Sequence, residues 1–189
     1  HNPNPPPASS LPLVTPVVEN PDDDPPVAPQ LPKLPDPATV KILVVDDQPY
    51  DILVVSTYLR EEGYQVLTAH SGREALEKLD TESPNIILSD VMMPGMNGFQ
   101  LCEQIKDNEH SLLTPVVLIT SLDGQQGRIQ GIQAGADEFL SKPINREELL
   151  ARVRSLLRYQ LVRSQLEEAQ KEHLKSMFKR YVSPKLVDE

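Results

Sequence analysis

The sequence predicts an α/β protein: a doubly wound, five-stranded parallel sheet of order 2-1-3-4-5, followed by an extended C-terminal helix. Three observations lead there. From Thr39 onward, short apolar runs alternate with segments of helical spacing, five of each, the pattern of a parallel sheet covered by helices on both faces. Ile86-Ile87-Leu88 is a continuously apolar run, which suits a strand buried on both sides. Polar side chains then fall where four of the strands end: Asp46-Asp47, Asp90, Thr120-Ser121 and Lys142-Pro143. Ligands of such sheets bind beyond the carboxyl ends of the strands, at the switch between the first and third. Right-handed crossovers leave few topologies, and the 2-1-3-4-5 order fits the length best.

The elements follow in order. Val40–Val45 is a β-branched strand, and Tyr50–Glu62 a helix with Ile52, Val55 and Leu59 on one face. Gln65–Ala69 is a short strand, and Ser71–Leu79 a helix with Ser71 as candidate N-cap. Asn85–Ser89 is the third strand, and Gly98–Lys106 the next helix. Val116–Thr120 is a strand, Arg128–Ala134 a short helix stopping at Gly135, and Glu138–Ser141 the last strand. A long helix begins at Glu147.

Composition narrows the function classes. Of 19 prolines, 13 lie in the first 37 residues. Residues 1–38, with an acidic cluster at Asp22 to Asp24, are therefore expected to be a disordered tail, because such a stretch favours extended polyproline-type conformations. Binding of this tail to an aromatic-lined groove is the alternative. A net charge of −10 argues against nucleic acid and anionic membrane as partners. Cys102 is the single cysteine, so neither an intrachain disulfide nor a cysteine-based zinc site is expected. No apolar run approaches the ~18 residues of a membrane span, and no signal peptide is visible. The expected compartment is the cytoplasm.

The polar strand ends bring three acids, a hydroxyl and a lysine to one rim. Crowded carboxylates repel one another and raise a coupled pKa. A hard divalent ion removes that conflict, and Mg²⁺ suits best because it takes one or two carboxylates and leaves room for phosphate oxygens. Asp90 is then placed to attack phosphorus as a carboxylate nucleophile, giving an aspartyl phosphate. The new charge calls for a cation, Lys142, and a hydroxyl, Thr120. Read singly, the same residues have plainer roles: Asp46 as a helix N-cap, Phe139 as core, Lys142 as a solvated strand-end lysine. Cys102, near Phe99 and Ile105, reads as a buried small residue, and neither His70 nor His110 has a ligand partner at metal spacing.

Taken in order, "ILVVDD", "IILSDVMMPGMNG", "VVLITS" and "ADEFLSKP" resemble the CheY-like receiver domain of two-component response regulators, over residues 39–158. The resemblance implies a flavodoxin-like fold, and a partner that is a sensor histidine kinase or phosphotransfer protein. It makes Asp90 the phosphoacceptor, Asp46 and Asp47 the acidic pair holding Mg²⁺, and Met92 a ligand through its backbone carbonyl. Thr120 corresponds to the switch hydroxyl, Phe139 to the aromatic that swings inward, and Lys142 to the phosphate partner, ahead of a cis-prone Pro143. Met92 and Leu122 stand where the family positions the attacking water, and neither offers a polar group, so slow loss of the phosphoryl group is implied. A phosphatase of the haloacid-dehalogenase type also forms an aspartyl phosphate, but it needs an acid where Met92 stands. A nucleotide-binding enzyme would need a Gly-rich phosphate loop, which is not seen.

The final helix is expected to outrun the domain. No proline or glycine interrupts residues 146–180, allowing ~50 Å of helix. Leu149, Val153, Leu156, Val162, Leu166, Ala169 and His173 alternate by fours and threes, with phase slips near Tyr159 and Leu174. Residues 159–180 thus read as a short, imperfect coiled coil that pairs two copies; the alternative is a lone amphipathic helix packed on its own domain. The closing "MFKRYVSPKLVDE" resembles the entry to class III adenylate or guanylate cyclase domains. Residues 181–189 would then begin an output domain. A diguanylate cyclase, another output or a stand-alone phosphorelay module are the alternatives.

Overall fold

A computed structural model describes residues 32–121 and 125–182. Most of the expected tail, Leu122, and the last seven residues of the cyclase-like segment lie outside the described residues. The chain runs β1 (Lys41–Val45), α1 (Pro49–Glu61), β2 (Gln65–Ala69), α2 (Gly72–Glu82), β3 (Ile86–Asp90), α3 (Gly98–Asp107), β4 (Val116–Thr120), α4 (Gln125–Gln133), β5 (Glu138–Ser141) and α5 (Arg146–Val182). All neighbouring strands pair in parallel. Their order is β2-β1-β3-β4-β5, as the sequence predicts.

Alternate strand residues face opposite layers. Ile42, Val44, Ile86, Leu88, Val117 and Ile119 join α1 and α5 in one buried cluster. Leu43, Val45, Ile87, Val116 and Leu118 join α2, α3 and Ala134 in the other. Each fully buried aliphatic side chain contributes roughly 1.5–3 kcal/mol relative to exposure, so the strands are held from both sides and their carboxyl ends form a fixed rim.

Boundaries differ from expectation in instructive places. β3 includes Asp90 itself, because Val91 N–H continues the ladder to the Ile119 carbonyl at 2.9 Å. α4 begins at Gln125, ahead of the expected Arg128; its glutamine-rich start carries no apolar periodicity to reveal it. Ser71 does cap α2, accepting from Glu74 N–H at 3.2 Å. Before β1, residues Pro37–Thr39 form a 3-10 turn capped by Asp36, and Leu34 packs on the α1/α5 cluster. The packed unit therefore includes the last residues of the stretch expected to be tail. No described helix is long and apolar enough to cross a membrane.

Candidate functional site

Backbone bonds at the strand ends hold the rim. Asp46 N–H donates to Ala69 O at 3.2 Å, joining the ends of β1 and β2, and Lys142 N–H donates to Thr120 O at 2.9 Å, joining β5 to β4. The Lys142–Pro143 peptide is cis. Below Asp90, Gly98 opens α3, and its N–H donates to Val91 O at 2.9 Å. A Cβ on Gly98 would meet Asp90 backbone and come within 2.8 Å of Val91 Cα. The glycine thus lets α3 abut the strand end that carries Asp90, with Asn97 and Gln100 forming a capping box at that junction.

The expected rim residues do converge. Asp46 is 5% exposed and Asp90 4%, and one carboxylate oxygen from each of Asp46, Asp47 and Asp90 lies within 4.8 Å of the others. Lys142 Nζ sits 3.0 Å from Asp46 Oδ2, 2.8 Å from Asp90 Oδ1 and 2.7 Å from Asp51 Oδ2. Met92 N–H donates to the other Asp90 oxygen at 2.7 Å, and Gln48 N–H to Asp46 Oδ1 at 2.8 Å. Asp46 is therefore not the cap of α1; that place is taken by Gln48, without a side-chain cap bond.

Burial pushes the Asp46 carboxyl above the usual range, and the nearby Asp90 charge adds to the rise; Gln48 N–H and Lys142 only partly offset it. Burial acts on Lys142 in the opposite sense, but its hydrogen bonds to Asp51, Asp90 and Asp46 outweigh this and hold its pKa well above the ordinary lysine value. One lysine thus shares three carboxylates, with Asp47 a fourth acid at the rim. The oxygen donor set and its excess negative charge fit a hard divalent cation such as Mg²⁺.

Thr120 ends β4 and Phe139 lies in β5, paired in register with Leu118. Phe139 is part-buried against the α2/α3 cluster. A Cβ on Gly131 of α4 would collide with its ring, so the absence of a side chain there makes room for the aromatic. Cys102 is fully buried, as expected.

Asp51 is absent from the sequence-derived site. Its signal lay in the first turn of α1, four residues past Asp47 and just after the helix-starting Pro49, where a side chain reaches back over the strand end.

This fold has known counterparts. The model of the response regulator receiver domain matches residues 42–154. The chain belongs to that family. As a receiver it is similar to Response regulator PleD of Caulobacter vibrioides, 48% identical over 130 residues, covering 69% of this chain and 29% of that protein. It is also similar to the alkaline phosphatase synthesis transcriptional regulatory protein PhoP of Bacillus subtilis, 38% identical over 118 residues, covering 62% of this chain and 48% of that one. The chain thus spans half or less of the length of these curated relatives. Among solved structures, a putative response regulator from Chloroflexus aurantiacus superposes with a TM-score of 0.61 at 32% identity, over 62% of this chain and 97% of that one. The Vibrio cholerae chemotaxis protein CheY4 gives 0.60 at 35%, over 62% and 98%. Receiver domains interact with histidine kinases or phosphotransfer proteins and generally bind Mg²⁺ at an acidic pocket.

Proposed function

We propose that this receiver accepts a phosphoryl group on Asp90 from a histidine kinase or phosphotransfer protein in the cytoplasm, and so works as a switch. The observation that carries this reading is the buried Asp90 carboxylate with one oxygen on Lys142 Nζ at 2.8 Å and the other on Met92 N–H at 2.7 Å. In the transfer, an Asp90 oxygen attacks phosphorus and a new O–P bond forms. The P–N bond to the donor imidazole breaks, its electron pair stays on the ring nitrogen, and that nitrogen takes up a proton. Lys142 neutralises charge on the phosphoryl oxygens, Thr120 donates its hydroxyl, and Phe139, which lies against Gly131 in this structure, follows Thr120 inward.

Asp46, Asp47, Asp90 and the Met92 carbonyl would hold Mg²⁺, which supplies positive charge against the repulsion between Asp90 and the incoming phosphoryl group. Transmission is assigned to α5, a single helix of 37 residues, about 55 Å long. Leu149, Val153 and Leu156 bury it against the domain, whereas Tyr159, Val162, Leu166 and Phe178 are exposed. That apolar exposure supports pairing of two copies through residues 159–180, and the "RYVSP" stretch supports a class III cyclase as the output.

The test is phosphorylation by acetyl phosphate with Mg²⁺, followed by intact-protein mass. A gain of one phosphoryl group in the wild type, lost in Asp90→Asn, is expected. Retention in Asp90→Asn would remove the assignment.

A further inference from the structure

Lys142 has three ammonium N–H bonds, and three carboxylates take them: Asp46 at 3.0 Å, Asp51 at 2.7 Å and Asp90 at 2.8 Å. To reach a phosphoryl oxygen carried by Asp90, the lysine must release one of these partners. We propose that Asp51 is the partner exchanged, so that it competes with the phosphoryl group for Lys142 and sets how tightly the activated form is held. The proposal rests on the reading of Asp90 as phosphoacceptor.

The three carboxylates are not equivalent. Releasing Asp46, 5% exposed, would take a charge-assisted hydrogen bond from a buried carboxylate that water cannot readily replace, which is costly. Asp90 is the phosphoryl carrier itself. The Asp51 side chain is 31% exposed and sits in the first turn of α1, where water and the helix N-terminus both accommodate a free carboxylate. Asp51 also lies outside the group of three acids placed to share a cation. Among the described residues its carboxylate pairs with Lys142 alone. It acts through the lysine and is a positioning residue.

The sign follows. A neutral amide in place of Asp51 keeps the shape and a hydrogen-bond acceptor but withdraws the competing charge, leaving Lys142 to the anion. Beryllofluoride, added with Mg²⁺, is the probe for the phosphoryl group. Its affinity would be measured by ¹⁹F NMR for wild type, Asp51→Asn, Lys142→Gln and the double variant, with Asp51→Ser as a second charge-free change. Asp51→Asn and Asp51→Ser are expected to tighten binding about three- to ten-fold, the scale of one partly exposed ion pair. In the Lys142→Gln background the same substitution is expected to change affinity less than about two-fold, because the lysine carries the coupling. Unchanged or weaker binding in both charge-free variants would overturn the proposal, showing Asp51 as a bystander or a support for the lysine. An equal gain in both backgrounds would overturn it too, since Asp51 would then act on the anion directly. A wild type that binds no beryllofluoride would instead strike the phosphoacceptor reading beneath it.

Discussion

Two part-buried lysines lie at opposite ends of this sheet, and they differ in what surrounds them. Lys106, with a side chain 17% exposed, stands at the base, where the strands begin. Its Nζ donates to Leu112 O at 3.3 Å, Thr114 O at 2.9 Å and Asp137 Oδ2 at 2.7 Å, and the same Asp137 oxygen accepts Val116 N–H at 2.8 Å. One cation meets one anion and two carbonyls, so the charges balance. Lys142, 22% exposed, stands at the rim and meets three carboxylates. Burial is similar; the electrostatics are opposite in purpose. The base pair pins a loop and two strand starts, while the rim holds unbalanced negative charge that an added cation relieves.

One substitution at each lysine separates the two directly. Lys106→Met should cost about 2 kcal/mol of stability, since Asp137 loses its counter-charge and two loop carbonyls lose their donor. The loss should be the same with and without Mg²⁺ in urea unfolding. Lys142→Met should also destabilise in EDTA, but Mg²⁺ should recover much of the loss. A Mg²⁺-independent deficit in Lys142→Met would erase the distinction between rim and base.

Mg²⁺ removal sharpens it from the wild-type side. Binding only to the folded state at a hundred times its dissociation constant adds about 2.7 kcal/mol, so chelation should lower the melting temperature by several degrees. In Asp47→Asn the decrement should be much smaller. Equal decrements would move the cation away from this rim.

A third test concerns a group that burial keeps neutral despite a lysine nearby. Burial pushes the Cys102 thiol up to about 11, so the folded state holds its proton more tightly than the unfolded chain does. Its contribution to stability is complete below the unfolded thiol pKa, near 8.5, and is lost as pH rises toward 11. Native protein at pH 8 should therefore resist thiol reagents, and react fully only once unfolded. Rapid labelling of native protein would show that the α3 side of the core opens.

Smaller still, Met92→Asn should speed loss of the phosphoryl group by placing a polar side chain, on a residue 61% exposed, where water can be held. The rim would then differ from the base in chemistry as well as charge. An unchanged rate in a phosphate-release assay would separate Met92 from the lifetime. Deleting residues 1–31 should shift the melting temperature by less than about one degree, because a proline-dense acidic stretch has little apolar surface to bury.

Much of this molecule was legible in its sequence, for a physical reason. Apolar runs and helical spacing record which residues meet the core, and a strand buried on both faces stays mostly apolar until near its end. Asp46, Asp90, Thr120 and Lys142 stand where that constraint stops, so order, topology and rim could be read together. The sequence also set the continuity of α5, which lacks proline and glycine throughout residues 146–180.

Tertiary structure alone decided which charges pair. Asp51 reaches Lys142 across 91 positions, and Lys106 reaches Asp137 across 31; neither spacing leaves a periodic trace. It decided the two close approaches, Gly98 against the Asp90 strand end and Gly131 against Phe139, since a glycine in a helix announces weakness, not what comes near. It decided also how far α5 stays on the domain: Leu157 is buried and Tyr159 is 65% exposed, yet Gln160 still donates its amide to Asn85 O at 3.1 Å, past the boundary expected at residue 158. Burial along one element is written in that element's own residues. The meeting of side chains from different elements depends on crossing geometry and side-chain direction, which exist only once the layers have packed.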